Sequence, residues 1–285
     1  MRIVGIIGGS GLYDIDGIKN LKEVKVLTPF GKPSDCYHCG VLEGVKAVFL
    51  PRHGRGHRVS PSEINYRANI YGMKKLGVSA IMSVSACGSL KEELKPMDFV
   101  IPDQFVDRTM KRQSTFFSNG VVAHVGLAAP VCSKISDILY RSAKVLNIPV
   151  HRGGTYLNME GPQFSTKAES LLYRSWHMDI IGMTNATEAK LAREAEIAYA
   201  TLAAITDYDC WHATHESVTM EMIIAYLTKN VENAKKIRKK AIPQVASVDA
   251  FDAERALACA SVTQKDKIPA KIKKDRKSMI GKYMQ

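Results

Sequence analysis

The chain has 285 residues, of which 46% are hydrophobic and 24% charged, enough to bury one large core or two modest ones. Its 20 glycines and 11 prolines are too few for collagen or a low-complexity linker, and its apolar content is too high for disorder; no uncharged apolar run reaches the roughly 18 residues of a membrane span. Forty Lys and Arg against 28 Asp and Glu leave a net charge of +12, a balance that points to anionic partners, either a polyanion such as nucleic acid or small phosphates.

The amino terminus, MRIVGIIGGSGLYD, enters an apolar run without the succession of a secretory signal, so a cytoplasmic location is expected. Residues 3–7 predict a strand that breaks at Gly8-Gly9-Ser10-Gly11. A CxxC follows at Cys36 and Cys39, but no second CxxC or HxxxH stands at zinc spacing, so no metal is expected. Six cysteines are too sparse for a disulfide framework and are expected as thiols. Residues 47–50 predict a second strand, ending at Pro51-Arg52-His53-Gly54, and 61–76 a helix capped by Ser60 or Ser62. Residues 80–84 predict a third strand, ending at Ser85-Ala86-Cys87-Gly88-Ser89.

Farther on, predicted strands at 179–183 and 200–206 flank a helix at 186–195, a crossover that supports parallel pairing. The longest helix is predicted over 219–240, stopped by Pro243. From Ala246 the composition changes, and 265–285 carries eight basic residues against two acidic ones, +6, half of the net charge. The expected organisation is one α/β domain over 1–245 and an extension over 246–285 with a basic tail.

Three predicted strands end in small, glycine-bearing turns, and ligands of open α/β sheets sit at the carboxyl ends of strands. The Gly8-Gly9-Ser10-Gly11 turn can aim backbone N–H groups and a hydroxyl at an anion, or be a plain tight turn; it lacks GxGxxG spacing. Arg52-His53-Gly54-Arg55-Gly56-His57-Arg58 packs three Arg and two His just after a strand, as a phosphate loop or a solvated basic one. Ser85 can contact phosphate or sugar, while Cys87 has no basic neighbour to activate it. Asp207 and Asp209, two residues apart on a predicted strand end, should share a face; paired carboxyls split their pKa values and could read an adenine edge. Metal binding with His212 and His215, or simple helix capping, are the other readings of that pair. Phe164 is a possible base platform or a core residue.

Together, IIGGSGL, PRHGRGH with PSEINYRANI, SACGSL with DFVIPDQFVDRT, NMEGPQFSTKAES, GMTNATEAKLARE and TDYDCWH resemble the methylthioadenosine phosphorylase family of the purine nucleoside phosphorylase superfamily, over residues 3–245. The resemblance implies a single-domain twisted mixed β-sheet flanked by helices, assembled as a trimer or a hexamer of two trimers, with no cofactor or metal, no membrane partner and inorganic phosphate as co-substrate. It implies phosphate contacts from Ser10, Arg52, His53, Ser85, Ala86 and Thr184. The family usually has Thr where Ser10 and Ser85 stand. Met183 matches the residue under the ribose, Phe164 and Ser165 those beside the base, and Asp207 and Asp209 the pair selecting 6-aminopurines, with Asp207 as catalytic acid. Met220, Ile223 and Ile224 fall where the family lines its 5′-alkylthio pocket, although their spacing also suits a helix core face; Met220 replaces a smaller aliphatic residue. His124 is implied to reach the 5′ region of a neighbouring subunit's substrate. The implied reaction is phosphorolysis of S-methyl-5′-thioadenosine. The rivals are a broad-specificity purine nucleoside phosphorylase and a nucleic-acid-binding module driven by the tail.

Overall fold

The computed structural model describes residues 1–9, 17–212 and 220–284, without the side chains of 220–225 and 227. The first half carries β1 (Ile3–Gly8), β2 (Lys19–Val24), β3 (Tyr37–Leu42), β4 (Val45–Pro51), α1 (Tyr66–Lys75), β5 (Val78–Ser89), β6 (Phe99–Ile101), β7 (Gln104–Asp107) and α2 (Ser133–Val145). The second carries β8 (Val150–Arg152), β9 (Thr155–Asn158), α3 (Lys167–Ser175), β10 (Ile180–Gly182), α4 (Asn185–Glu194), β11 (Ala198–Asp207), α5 (Met220–Ala246), α6 (Ala270–Asp275) and α7 (Lys277–Ile280). Among the described residues the strands form one mixed sheet in the order β2-β3-β4-β1-β5-β10-β9-β7, and β11 joins β5 to β6, which pairs with β8. β1 runs parallel to β4 and β5, and β5 parallel to β11, so these four strands end on the same edge.

Alternation along the strands builds two cores. Val4 and Ile6 of β1, Ala47 and Phe49 of β4 and Ala80 and Met82 of β5 pack with α2 and α5, while Ile7, Val48, Leu50 and Ile81 turn to the opposite face, against α1 and α4. The sheet therefore lies between two helical layers.

Four expectations need correction. The helix predicted from residue 61 begins at Tyr66, because Asn65 caps it by accepting from the Ala68 N–H at 3.0 Å, while the Ser60 and Ser62 hydroxyls donate to Glu63 and Glu160 instead. Residues 85–89 are not a turn: β5 runs on to Ser89, paired with β11 on one side and, at Gly88 and Ser89, with β10 on the other. β10 is antiparallel to β5 while β11 is parallel to it, so the strands flanking α4 are not parallel neighbours. Pro243 does not stop α5, which continues to Ala246; Ile242, Val245 and Ala246 are buried in the first core, and that packing carries the last turn.

The stretch after residue 246 folds back over the second core. Leu257, Ile268, Ile272, Met279 and Ile280 are buried there, the Arg276 Nε–H donates to the Phe116 carbonyl at 3.2 Å, and Ala123 forms a β-bridge with Ser261. Lys265, Lys267, Lys271, Lys274 and Lys277 stay exposed on its outer side. Among the described residues no helix is long and apolar enough to cross a membrane. Ile280→Ala is expected to destabilise the protein by about 2–4 kcal/mol, read as a lower denaturant midpoint in a single transition. An unchanged midpoint would mean that this segment is not part of the cooperative unit.

Candidate active site

A cavity of about 600 Å³ opens where β1, β4, β5 and β11 end, and Asn230, Val231 and Ala234 of α5 close its far wall. Of the residues singled out from sequence, Arg52, His53, Ser85, Ala86, Phe164, Met183, Thr184, Asp207 and Asp209 all line it. They come from five separate segments. Parallel β4, β5 and β11 bring Arg52, His53, Ser85, Ala86 and Asp207 to one edge, while Met183 and Thr184 arrive at the end of β10 and Phe164 from the loop before α3.

The end beside β4 is built for an anion. Arg52 follows β4 directly and is 1% exposed, yet its guanidinium keeps its proton: burial opposes the charge, and the Glu188 carboxylate, 2.5 Å from Nε, more than restores it. The Ser83 hydroxyl and the Val84 carbonyl take further N–H groups, at 2.5 and 3.0 Å. Next to it, His53 points Nδ1 at the Val59 carbonyl, 2.8 Å away, which makes Nδ1 the donor. Burial, and then the neighbouring Arg52 charge, push the His53 pKa down to about 3, so the ring is neutral at physiological pH. The His57 ring stacks on it at 4.2 Å. The Ser85 hydroxyl is buried in the cavity lining, with the Tyr156 hydroxyl as its neighbour. Thr184 stands at the N-cap of α4, which brings the positive end of that helix to the same place.

The opposite end carries carboxyl groups. Asp207 closes β11, and burial raises its pKa to about 6 although its oxygens accept from the Thr206 hydroxyl at 2.7 Å and the Asp209 N–H at 2.8 Å. The two acids do not alternate along a strand, as the sequence suggested. The strand ends at Asp207, and Asp209 takes a left-handed conformation, φ 52°, in a turn closed by that N–H. The turn still brings both carboxyls to the cavity. Burial raises the Asp209 pKa as well, against the hydrogen bonds from Ser170, Ser165 and the Cys210 backbone that lower it. Gly88 is required here, since a Cβ on it would lie 2.8 Å from Asp207 Oδ1. Phe164, 47% exposed, forms the rim.

Ser165 stands beside the cavity but does not line it; its carbonyl accepts from the Cys210 thiol. His124 lies away from the cavity, its backbone N–H donating to the Ala260 carbonyl at 2.8 Å. Ser10 lies outside the described residues, as do the side chains of Met220, Ile223 and Ile224. His215 does too, and among the described residues no cluster of His, Cys, Asp or Glu is placed to hold a metal. The six cysteines are free thiols.

Sequence reasoning missed two supports. Glu188 stands in the first turn of α4, where any acid suits the helix dipole, so nothing local in the sequence marks its ion pair with Arg52. Arg112, its side chain 1% exposed, donates to the Met183 carbonyl, to the Glu160 carbonyl at 2.6 Å and to the Tyr66 hydroxyl at 3.1 Å. It thus fixes the backbone of the cavity floor. Burial would raise the Glu160 pKa, but hydrogen bonds from Ser62, Met110 and Lys111, with the Arg112 charge, bring it to about 2.

One end of the cavity thus suits an anion and the other a flat group with donor and acceptor edges. Residues 3–243 match the family model described as the phosphorylase superfamily. The S-methyl-5′-thioadenosine phosphorylase of Koribacter versatilis is 55% identical, with 98% of this chain and 96% of that protein covered. That of Geobacter sulfurreducens is 54% identical, with 99% of each covered. Among solved structures, a methylthioadenosine phosphorylase sourced from an antarctic soil metagenomic library superposes with a TM-score of 0.93 at 51% identity, covering 97% of this chain and 98% of that one. The methylthioadenosine phosphorylase of Schistosoma mansoni in complex with adenine has a TM-score of 0.84 at 38% identity, covering 87% and 93%. The chain belongs to the phosphorylase superfamily and, within it, to the methylthioadenosine phosphorylase family.

Proposed function

We propose that this chain catalyses the phosphorolysis of S-methyl-5′-thioadenosine to adenine and 5-methylthioribose 1-phosphate, without a metal or organic cofactor. The observation that carries the reading is the cavity itself, with Arg52, His53 and Ser85 at one end and Asp207 and Asp209 at the other. Full-length relatives at 54–55% identity are S-methyl-5′-thioadenosine phosphorylases, which supports the choice of nucleoside.

Breaking the glycosidic bond puts positive charge on the ribose and negative charge on the departing base. Phosphate, held by the Arg52 guanidinium, the Ser85 hydroxyl and the start of α4 at Thr184, lies against the ribose, stabilises its developing charge and then captures C1′ from the face opposite the base. Ser10 and Ala86 complete that cradle in this reading. His53, neutral and with Nδ1–H committed to Val59, offers Nε2 as an acceptor for a protonated phosphate oxygen. Met183 supports the ribose from a backbone pinned by Arg112. At the other end Asp207 delivers a proton to N7 of the base, while Asp209 Oδ2 accepts from the 6-amino group. Phe164 and Ser165 border the ring, and Met220, Ile223 and Ile224 enclose the methylthio group. The enzyme acts in the cytoplasm as a homotrimer or a pair of trimers, with His124 serving a neighbouring subunit. Its place outside its own chain's cavity supports that assignment.

Incubation with methylthioadenosine, adenosine, methylthioinosine and inosine, each with and without phosphate, tests the reading. Adenine release from methylthioadenosine only when phosphate is present is expected. Asp209→Asn should raise turnover of the inosine-type substrates relative to the adenosine-type, because an amide can donate to O6; an unmoved ratio would remove Asp209 from base selection. Release without phosphate, or salt-sensitive retention on nucleic acid with no turnover, would overturn the assignment.

A second prediction concerns pH. With its pKa raised to about 6, Asp207 loses its proton as pH rises through that value, so kcat/KM for the nucleoside at saturating phosphate should fall above about pH 6. Asp207→Asn should lower kcat by ~10²–10⁴ and abolish that limb of the profile. Retention of both the rate and the limb would exclude Asp207 as the acid.

A further inference from the structure

We propose that Glu188 is a positioning residue for phosphate: it clamps one edge of the Arg52 guanidinium and so fixes the direction in which the opposite edge meets the anion. The proposal rests on the phosphorolysis reading, which makes phosphate the anion. α4 sets Glu188 one turn beyond Thr184, so the element that contributes a contact at the anion end also contributes the residue behind Arg52.

The geometry of the pair is side-on. Glu188 Oε1 accepts from Arg52 Nε at 2.5 Å and Oε2 from Nη2 at 3.0 Å. The second Nη2 N–H goes to the Ser83 hydroxyl at 2.5 Å, and one Nη1 N–H to the Val84 carbonyl at 3.0 Å. Four of the five guanidinium N–H groups are thereby committed, and among the described residues the fifth, on Nη1, is left for a ligand. Nη1 is also the atom nearest Gly9, at 3.8 Å from where a Cβ would stand, and Gly9 and Arg52 both line the cavity. The free N–H therefore belongs to the edge turned toward the end of β1.

The clamp is itself held. Glu188 is 2% exposed, and its Oε2 accepts from the Ser83 hydroxyl at 3.0 Å and the Tyr199 hydroxyl at 2.9 Å. Asn185 donates to the hydroxyls of Tyr199 and Thr201, each at 2.7 Å. These partners sit on β5, α4 and β11, the elements that meet behind the cavity. An unclamped arginine has several rotatable bonds and would turn its fork toward the anion when present and toward other acceptors when absent. The fixed pair removes that freedom before phosphate arrives, which is preorganisation in the ordinary electrostatic sense. The pair is internally neutral, so this end of the cavity offers phosphate a directed hydrogen bond more than a net charge.

Steady-state kinetics of Glu188→Gln test this, with phosphate binding to the same variant measured by calorimetry. The amide keeps the side chain's size but turns an N–H donor toward the guanidinium. KM for phosphate should rise by roughly tenfold or more, with calorimetric affinity falling in parallel, while KM for methylthioadenosine moves by less than about twofold. Glu188→Asp should recover part of the loss. Because an unpaired buried arginine can prevent folding, Tyr199→Phe provides the second arm: it removes one donor to Oε2, keeps the pair, and should raise KM for phosphate by about two- to fivefold. Unchanged phosphate affinity in folded Glu188→Gln, or in Tyr199→Phe where the former does not fold, overturns the positioning role. Equal changes in both KM values overturn it as well, since a merely structural role would give that result. Loss of phosphate dependence in the wild-type protein would instead defeat the functional reading, so the two failures are distinguishable.

Discussion

A guanidinium can be buried at the end of a strand only when a carboxylate meets it, and the Arg52–Glu188 pair is the contact around which this site is arranged. Arg52 comes from the end of β4 and Glu188 from the first turn of α4, 136 residues later. Around the pair, β5 and β11 present hydroxyl-bearing side chains, Ser83 and Thr201, and α4 adds the Asn185 amide, each buried and hydrogen-bonded to another member of the group. A larger or apolar residue at any of them would leave a donor or acceptor without a partner in a region water does not reach.

The two ends of the cavity are opposite electrostatic problems solved by the same sheet edge. At the Arg52 end, positive charge is retained by its carboxylate partner and His53 is kept neutral by burial and by that same charge. At the Asp207 end, burial works in the other direction and keeps a carboxyl protonated into the range where it can donate. A chain that breaks a bond between a sugar and a base needs both, because opposite charges develop on the two fragments as they separate. The turn that follows β11 provides the second acid by curling Asp209 back through its N–H to Asp207, with Gly88 leaving room for the carboxylate.

Much of this was legible in the residues. The ends of the β-branched runs marked the sheet edge at which the cavity opens, although 85–89 proved to be strand and not turn, and the Arg52-His53 and Asp207-Tyr208-Asp209 segments, each a short window, both supply residues that line it. What escaped reading was whatever depended on distant partners. Glu188 has nothing in its neighbourhood to distinguish it from a helix-dipole acid, and Arg112 sits in a loop with no periodic pattern. The serines before α1 looked like caps until Glu63 and Glu160 claimed their hydroxyls. The carboxyl-terminal segment misled through its composition: its lysines dominate the count, whereas Ile268, Ile272, Met279 and Ile280, spaced among them, are what fix it to the second core. The +12 charge therefore says little about the site, where a single clamped arginine matters more.

The central claim is that phosphate, and not water, takes the ribose. Running the reaction on methylthioadenosine in ¹⁸O-labelled water with unlabelled phosphate, and reading the sugar product by mass spectrometry, tests it most directly. Phosphorolysis predicts a methylthioribose 1-phosphate whose C1–O–P oxygen carries no label. A free methylthioribose carrying the label from solvent would contradict it.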